Sequence, residues 1–145
     1  MNKDLTFERI RLEHEAEPNM AVPEVNVLES DIVLSFDVEG QNNYSEIEFK
    51  DCLMYRVGSP NDEGFYSSDQ HPKINNSVYS HQNFPNLQFG YFYKVTGLNW
   101  RQNKLGEGTL VLNDHPGNDG GYSHFVFFMK DGTFECVAKD WVLKK

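Results

Sequence analysis

Residues 113–125 read NDHPGNDGGYSHF, with two His, two Asp and three Gly just ahead of an apolar run. Imidazole and carboxylate side chains are the common ligands of transition metals and the common general acids and bases, so this stretch is the first candidate for chemistry. Two further histidines, His71 and His81, stand in another polar stretch. His71, His81, His115 and His124 are therefore the candidate metal ligands. A metal site needs three or four N, O or S donors converging at about 2.0–2.3 Å. The spacing argues against it: nine residues separate the first pair and eight the second, and no H-x-H or H-x-x-x-H pair sets two imidazoles on one face. A metal-dependent, cupin-like enzyme remains an alternative, behind the reading of these histidines as loop residues. Asp114, Asn118 and Asp119 lack the D-x-D-x-D-G pattern and distal Glu of a calcium loop. Asn, Asp, Gly and Pro are what any wide turn is made from.

Other catalytic signals are weak. The chain has no nucleophile elbow, P-loop or dinucleotide fingerprint, so no catalytic residue is nominated and no cofactor is expected. Cys52 and Cys136 each sit in an apolar run. Such surroundings raise a thiol pKa and suit buried free thiols; a disulfide between them is the less favoured alternative.

Aromatic residues say more. Between 59 and 100 they recur among Asn, Gln and Ser. Tyr66, Tyr79, Phe84, Tyr91, Tyr93 and Trp100 are the candidate binding residues, because aromatic anchors in polar surroundings mark protein hot spots and sugar platforms. The competing reading is that they fold inward as a satellite core under a long loop.

These residues need elements to position them. The clearest is YSHFVFFMKDGTFECVAKDWVL. Asp-Gly between two β-prone runs predicts a hairpin turn at Asp131-Gly132. That register opposes Met129 to Phe134, Phe127 to Cys136 and Phe125 to Ala138, an apolar face for the core. The other face, with His124, Val126, Phe128, Glu135 and Lys139, is mixed and expected to be partly covered. A second hairpin is read over 31–57: Ile32, Leu34, Phe36 and Val38 alternate inward, as do Ile47 and Phe49 after the turn GQNNYS. From Cys52 to Val57 the alternation breaks, which signals a bulge or burial on both sides. NLQFGYFYKV is a further strand, with Gly90 marking a bulge or a close backbone approach. GTLVLND is read as a short strand. Residues 4–16 change hydrophobic phase between Phe7 and Ile10 and fit either a short helix or a strand.

The sum is an all-β, mainly antiparallel domain, a β-sandwich or small barrel of about 7–8 strands, with one short N-terminal helix as an option. It is read as a single domain over 1–145: an N-terminal segment and Pro-containing linker at 1–30, and a β core at 31–145 with a long loop at about 58–86.

The chain has 145 residues, is 39% hydrophobic and 14% aromatic, and has a net charge of −9. Disordered chains lack aromatics, so it folds. Lys and Arg total 13 and do not cluster, which argues against nucleic acid and anionic membranes as partners. An acidic chain suits a protein with a basic surface. No run approaches the ~18 apolar residues of a membrane helix, and MNKDLTFERIRLEHE has no apolar h-region, so a cytoplasmic protein, bacterial in style, is expected. The leading expectation is a non-enzymatic protein-binding or inhibitory, immunity-type module. A small-molecule or carbohydrate binder is second and the metal enzyme third. A homodimer through a strand edge is compatible with each.

Overall fold

The computed structural model describes residues 6–12, 24–38, 44–58, 79, 84–88, 90–97, 121–129 and 132–144. They form nine strands in two antiparallel sheets and no helix. The strands are β1 (Thr6–Ile10), β2 (Glu24–Leu28), β3 (Asp31–Asp37), β4 (Tyr44–Lys50), β5 (Met54–Gly58), β6 (Phe92–Thr96), β7 (Ser123–Met129), β8 (Gly132–Ala138) and β9 (Asp140–Leu143). One sheet has the order β1-β6-β7-β8-β5 and the other β2-β3-β4-β9. The result is a β-sandwich. Among the described residues no helix is long and apolar enough to cross a membrane.

The inner faces meet in a core built on phenylalanine. Phe49 of β4 lies 5.9, 5.6 and 5.5 Å, ring centre to ring centre, from Phe92, Phe125 and Phe134 of the opposing sheet. Phe36 of β3 meets Phe127 at 5.5 Å. Leu34, Ile47, Met129, Cys136 and Ala138 fill the remainder and are fully buried. Each such large side chain contributes roughly 1.5–3 kcal/mol by leaving water.

At one corner the sheets share strands. β4 runs through Asp51–Leu53 into β5, and β8 runs through Lys139 into β9, so each passes from one sheet to the other. The two bent strands stay paired throughout: β4 with β9, Lys139 N–H donating to the Lys50 carbonyl, Leu53 N–H to the Val137 carbonyl, then β5 with β8. Asp51 takes φ 51°, its N–H donating to Asp31 Oδ1, and makes the bend. The broken alternation from Cys52 onward is this change of sheet.

The five-stranded sheet is covered on its outer face too. Tyr79, Phe84 and Leu87 cover Tyr93, Val95, Val126 and Phe128 as a second core, joined by Phe7 and Tyr91. Double burial explains two features that a simple alternation blurred. The N-terminal alternatives resolve to a strand over Thr6–Ile10, whose change of phase is real: Phe7 serves the second core and Ile10 packs on the first. The mixed face of β7 and β8 is covered from His124 to Phe128 and from Thr133 to Val137, with Glu135 and Thr133 at 0% exposure, and Lys139 at its end is exposed. The register of that hairpin is shifted by two residues, with Met129 opposite Gly132, Phe127 opposite Phe134 and Phe125 opposite Cys136. A shift of two preserves which residues share a face, so the apolar face is as expected while its partners change. Residues 1–30 also contribute more than a linker. β2 is an edge strand that is mostly exposed, and exposed edges leave little alternation to read. The expected strand at 108–114 lies outside the described residues.

Candidate functional site

The two-residue shift in the β7–β8 hairpin builds a buried charge network. It places Val126 opposite Glu135 and His124 opposite Val137, so His124 and Glu135 are diagonal neighbours on one face. His124 Nε2 lies 2.8 Å from Glu135 Oε2. The hydroxyl of Tyr79 donates to the same oxygen at 2.7 Å and stands 3.4 Å from Nε2. From the sheet edge, Arg56 of β5 sits directly opposite Glu135 and donates from Nε (3.0 Å) and Nη2 (2.6 Å) to Oε1. Gly58 leaves room for this guanidinium, since a Cβ there would stand 2.9 Å from Arg56 Nη1.

A carboxylate accepts and does not donate, so Nε2 of His124 carries the proton in that bond. Nδ1 is buried and finds no hydrogen-bond partner among the described residues. Burial pushes the Glu135 carboxyl up, but the hydrogen bond and charge of His124, the charge of Arg56 and the Tyr79 hydroxyl together hold it below its ordinary value. Burial, then the charge and hydrogen bond of Glu135, push the Tyr79 phenol well above its ordinary range. Glu135 thus stays ionised and Tyr79 neutral. Only Arg56, its side chain 14% exposed, touches solvent, while His124 and Glu135 stand at 3% and 0%. The network is a sealed polar strut between the edge strand, the hairpin and the second core.

The outer face of the four-stranded sheet is charged instead, around a buried Val33. Every charged residue of its strands points outward. Glu24, Asp31, Asp37, Glu46, Glu48 and Asp140 share that face with Lys50, which pairs with Asp31 at 3.7 Å and Glu48 at 3.1 Å, and with Lys144 just past β9, whose N–H donates to the Glu46 carbonyl. Tyr44, Leu28 and Val142 stand among them, 55%, 50% and 41% exposed. A second exposed apolar row, Leu53, Tyr55 and Val57, follows edge strand β5.

Of the aromatic candidates, Tyr79, Phe84 and Tyr93 are buried in the second core. Tyr91 is half-buried under the guanidinium of Arg9, 3.5 Å from its ring centre. Tyr66 and Trp100 lie outside the described residues. Among the histidines, His124 joins the Glu135 network, and His71, His81 and His115 lie outside the described residues. Among the described residues, no group of three or more His, Cys, Asp or Glu side chains stands where it could hold a metal ion.

The sequence reading did not single out Arg56 or Glu135. A glutamate flanked by Phe134 and Cys136 in a doubly buried strand is the signal that could have found it, because such a carboxylate needs cationic and hydroxyl partners. The acidic sheet face was present in the alternation of β4, where Glu46 and Glu48 face out. Compared with protein-family models, with curated proteins and with solved structures, the chain matches none.

Proposed function

We propose that this chain is a non-enzymatic binding protein that presents the outer face of its four-stranded sheet to a protein with a basic surface. One observation carries the reading: among the described residues, six carboxylates against two lysines on a single sheet face, with Tyr44, Leu28 and Val142 exposed among them. Like charges held on a rigid sheet repel one another, so their grouping costs stability that a cationic partner would recover. Apolar anchors ringed by charge are the anatomy of a protein interface, in which the anchors supply affinity and the charges supply on-rate and choice of partner. An inhibitory, immunity-type role fits this arrangement.

The test is capture from extracts of the native host in low salt, with wild type beside Glu46→Lys/Glu48→Lys. Support is a defined basic partner, purified and re-bound by wild type, weakened at least tenfold by the double reversal and by raised salt. Binding indifferent to both changes would sink the proposal.

A second reading, metal binding, is favoured by His124 alone. A carboxylate on one ring nitrogen with the other nitrogen open is how zinc-ligating histidines are commonly oriented. Elemental analysis of untagged protein prepared without chelator decides it. Stoichiometric transition metal, lost on His124→Ala, supports this reading, and its absence removes it.

A further inference from the structure

The corner where strands change sheets also brings the two cysteines together. Cys52 lies in the bend between β4 and β5, its N–H donating to the Ser30 carbonyl at 2.6 Å. Cys136 lies on β8, opposite Tyr55, with its side chain in the sandwich core. Cys52 packs against that same core, its thiol donating to the Met54 carbonyl at 3.3 Å, and Cys136 is the side chain that acts most strongly on it. Both are free, Cys52 half-buried and Cys136 fully buried.

We propose that Cys52 and Cys136 form a peroxide-responsive thiol pair, in which Cys52 is the reactive thiol and Cys136 the resolving one, closing a disulfide across the sheet corner. The asymmetry assigns the roles. Cys52 reaches solvent and Cys136 does not. The neighbouring Cys136 side chain favours the Cys52 thiolate, while burial and the Cys52 sulfur disfavour a Cys136 thiolate. Thiolate character together with access selects a cysteine for oxidation. Cys52 thiolate attacks one oxygen of hydrogen peroxide; the O–O bond breaks, hydroxide leaves and is protonated to water, and Cys52 becomes a sulfenic acid. The Cys136 sulfur, giving up its proton, then attacks the Cys52 sulfur. The S–S bond forms, the S–O bond breaks, and a second water leaves. Each sulfur gives one electron and the peroxide takes both.

The consequence is mechanical. The bond would lock the bend to β8 and close a loop of more than eighty residues, the kind of constraint that most restricts an unfolded chain. The locked corner carries Leu53 and adjoins the exposed row on β5.

The experiment treats reduced, full-length protein with one equivalent of hydrogen peroxide and reads intact mass and thermal unfolding. The expected product has lost two hydrogen masses, regains them with dithiothreitol, and melts higher by roughly 5–10 °C. Cys52→Ser should resist oxidation. Cys136→Ala should stop at the sulfenic acid, trapped by dimedone as an adduct at Cys52. The wild-type measurement stands even where a core variant fails to fold. Oxygen added without loss of hydrogen, an unchanged mass, or a disulfide only between molecules would overturn the proposal.

Discussion

Glu135 is the residue on which most of the buried polar chemistry converges. Replacing it with Gln keeps the shape but removes the carboxylate that Arg56 and His124 share. Removing one partner of a buried ion pair costs about 3–5 kcal/mol, and urea unfolding of Glu135→Gln should register that loss. The pH dependence follows from the lowered folded-state pKa. The carboxylate's contribution is complete above its unfolded value near 4.5 and is lost as pH falls through the lower folded value. Thermal melts of wild type should therefore fall steeply on the acid side, and those of Glu135→Gln less so. Tyr79 works in the opposite direction. Its folded pKa is raised, so its contribution is present below about 10 and lost as pH rises beyond it, when the unfolded phenol ionises and the folded one does not. Tyr79→Phe should cost about 1–2 kcal/mol at neutral pH by removing one donor to Glu135. It should also remove part of the alkaline decline, which melts across the alkaline range would read.

Among the elements, β6 shows how one backbone residue divides side chains between two cores. Gly90 takes φ 90°, its N–H donates to the Phe128 carbonyl, and Phe128 N–H donates in turn to the Tyr91 carbonyl, so two residues oppose one. The bulge precedes a strand that sends Phe92 into the sandwich and Tyr93 to the opposite side. A Cβ at this φ is strained, and Gly90→Ala should lower stability by about 1–2 kcal/mol in urea unfolding. This bulge was legible in the sequence, as were the alternation of β3 and β4 and the apolar face of β7 and β8. Each is a pattern within a few residues. The edge strands β1 and β2 were not, because exposure on one side and double burial on the other blur a period of two. The hairpin register was missed because Asp131-Gly132 is a local signal. The observed register also satisfies a distant demand, that Glu135 meet Arg56 and Tyr79, which stand 79 and 56 residues away in the chain. The buried Glu135 left a signal in the sequence, but its partners Arg56 and Tyr79 did not, because they become its neighbours only when segments far apart in sequence meet.

At the scale of the molecule, the sandwich depends on Phe49, whose ring touches three phenylalanines of the opposite sheet. Phe49→Ala removes the ring and leaves a cavity between the sheets, for a loss of about 3–5 kcal/mol. Loss on that scale should show as a lower urea midpoint. Little change would mean that the sheets close over the gap.

The bent pair of strands at the shared corner also sets an order of events. Translation delivers β1 to β7 before β8 and β9 exist, yet β8 is an interior strand of one sheet and β9 completes the other. Until β8 and β9 emerge, β5 has no partner among the described strands and the phenylalanines of β3 and β4 have only part of their cover. A nascent chain of this protein therefore holds its apolar surface open until β8 and β9 have been made. Contacts this distant in sequence close slowly, and a ribosome stalled before β8 would expose a template for aggregation rather than a half-built domain.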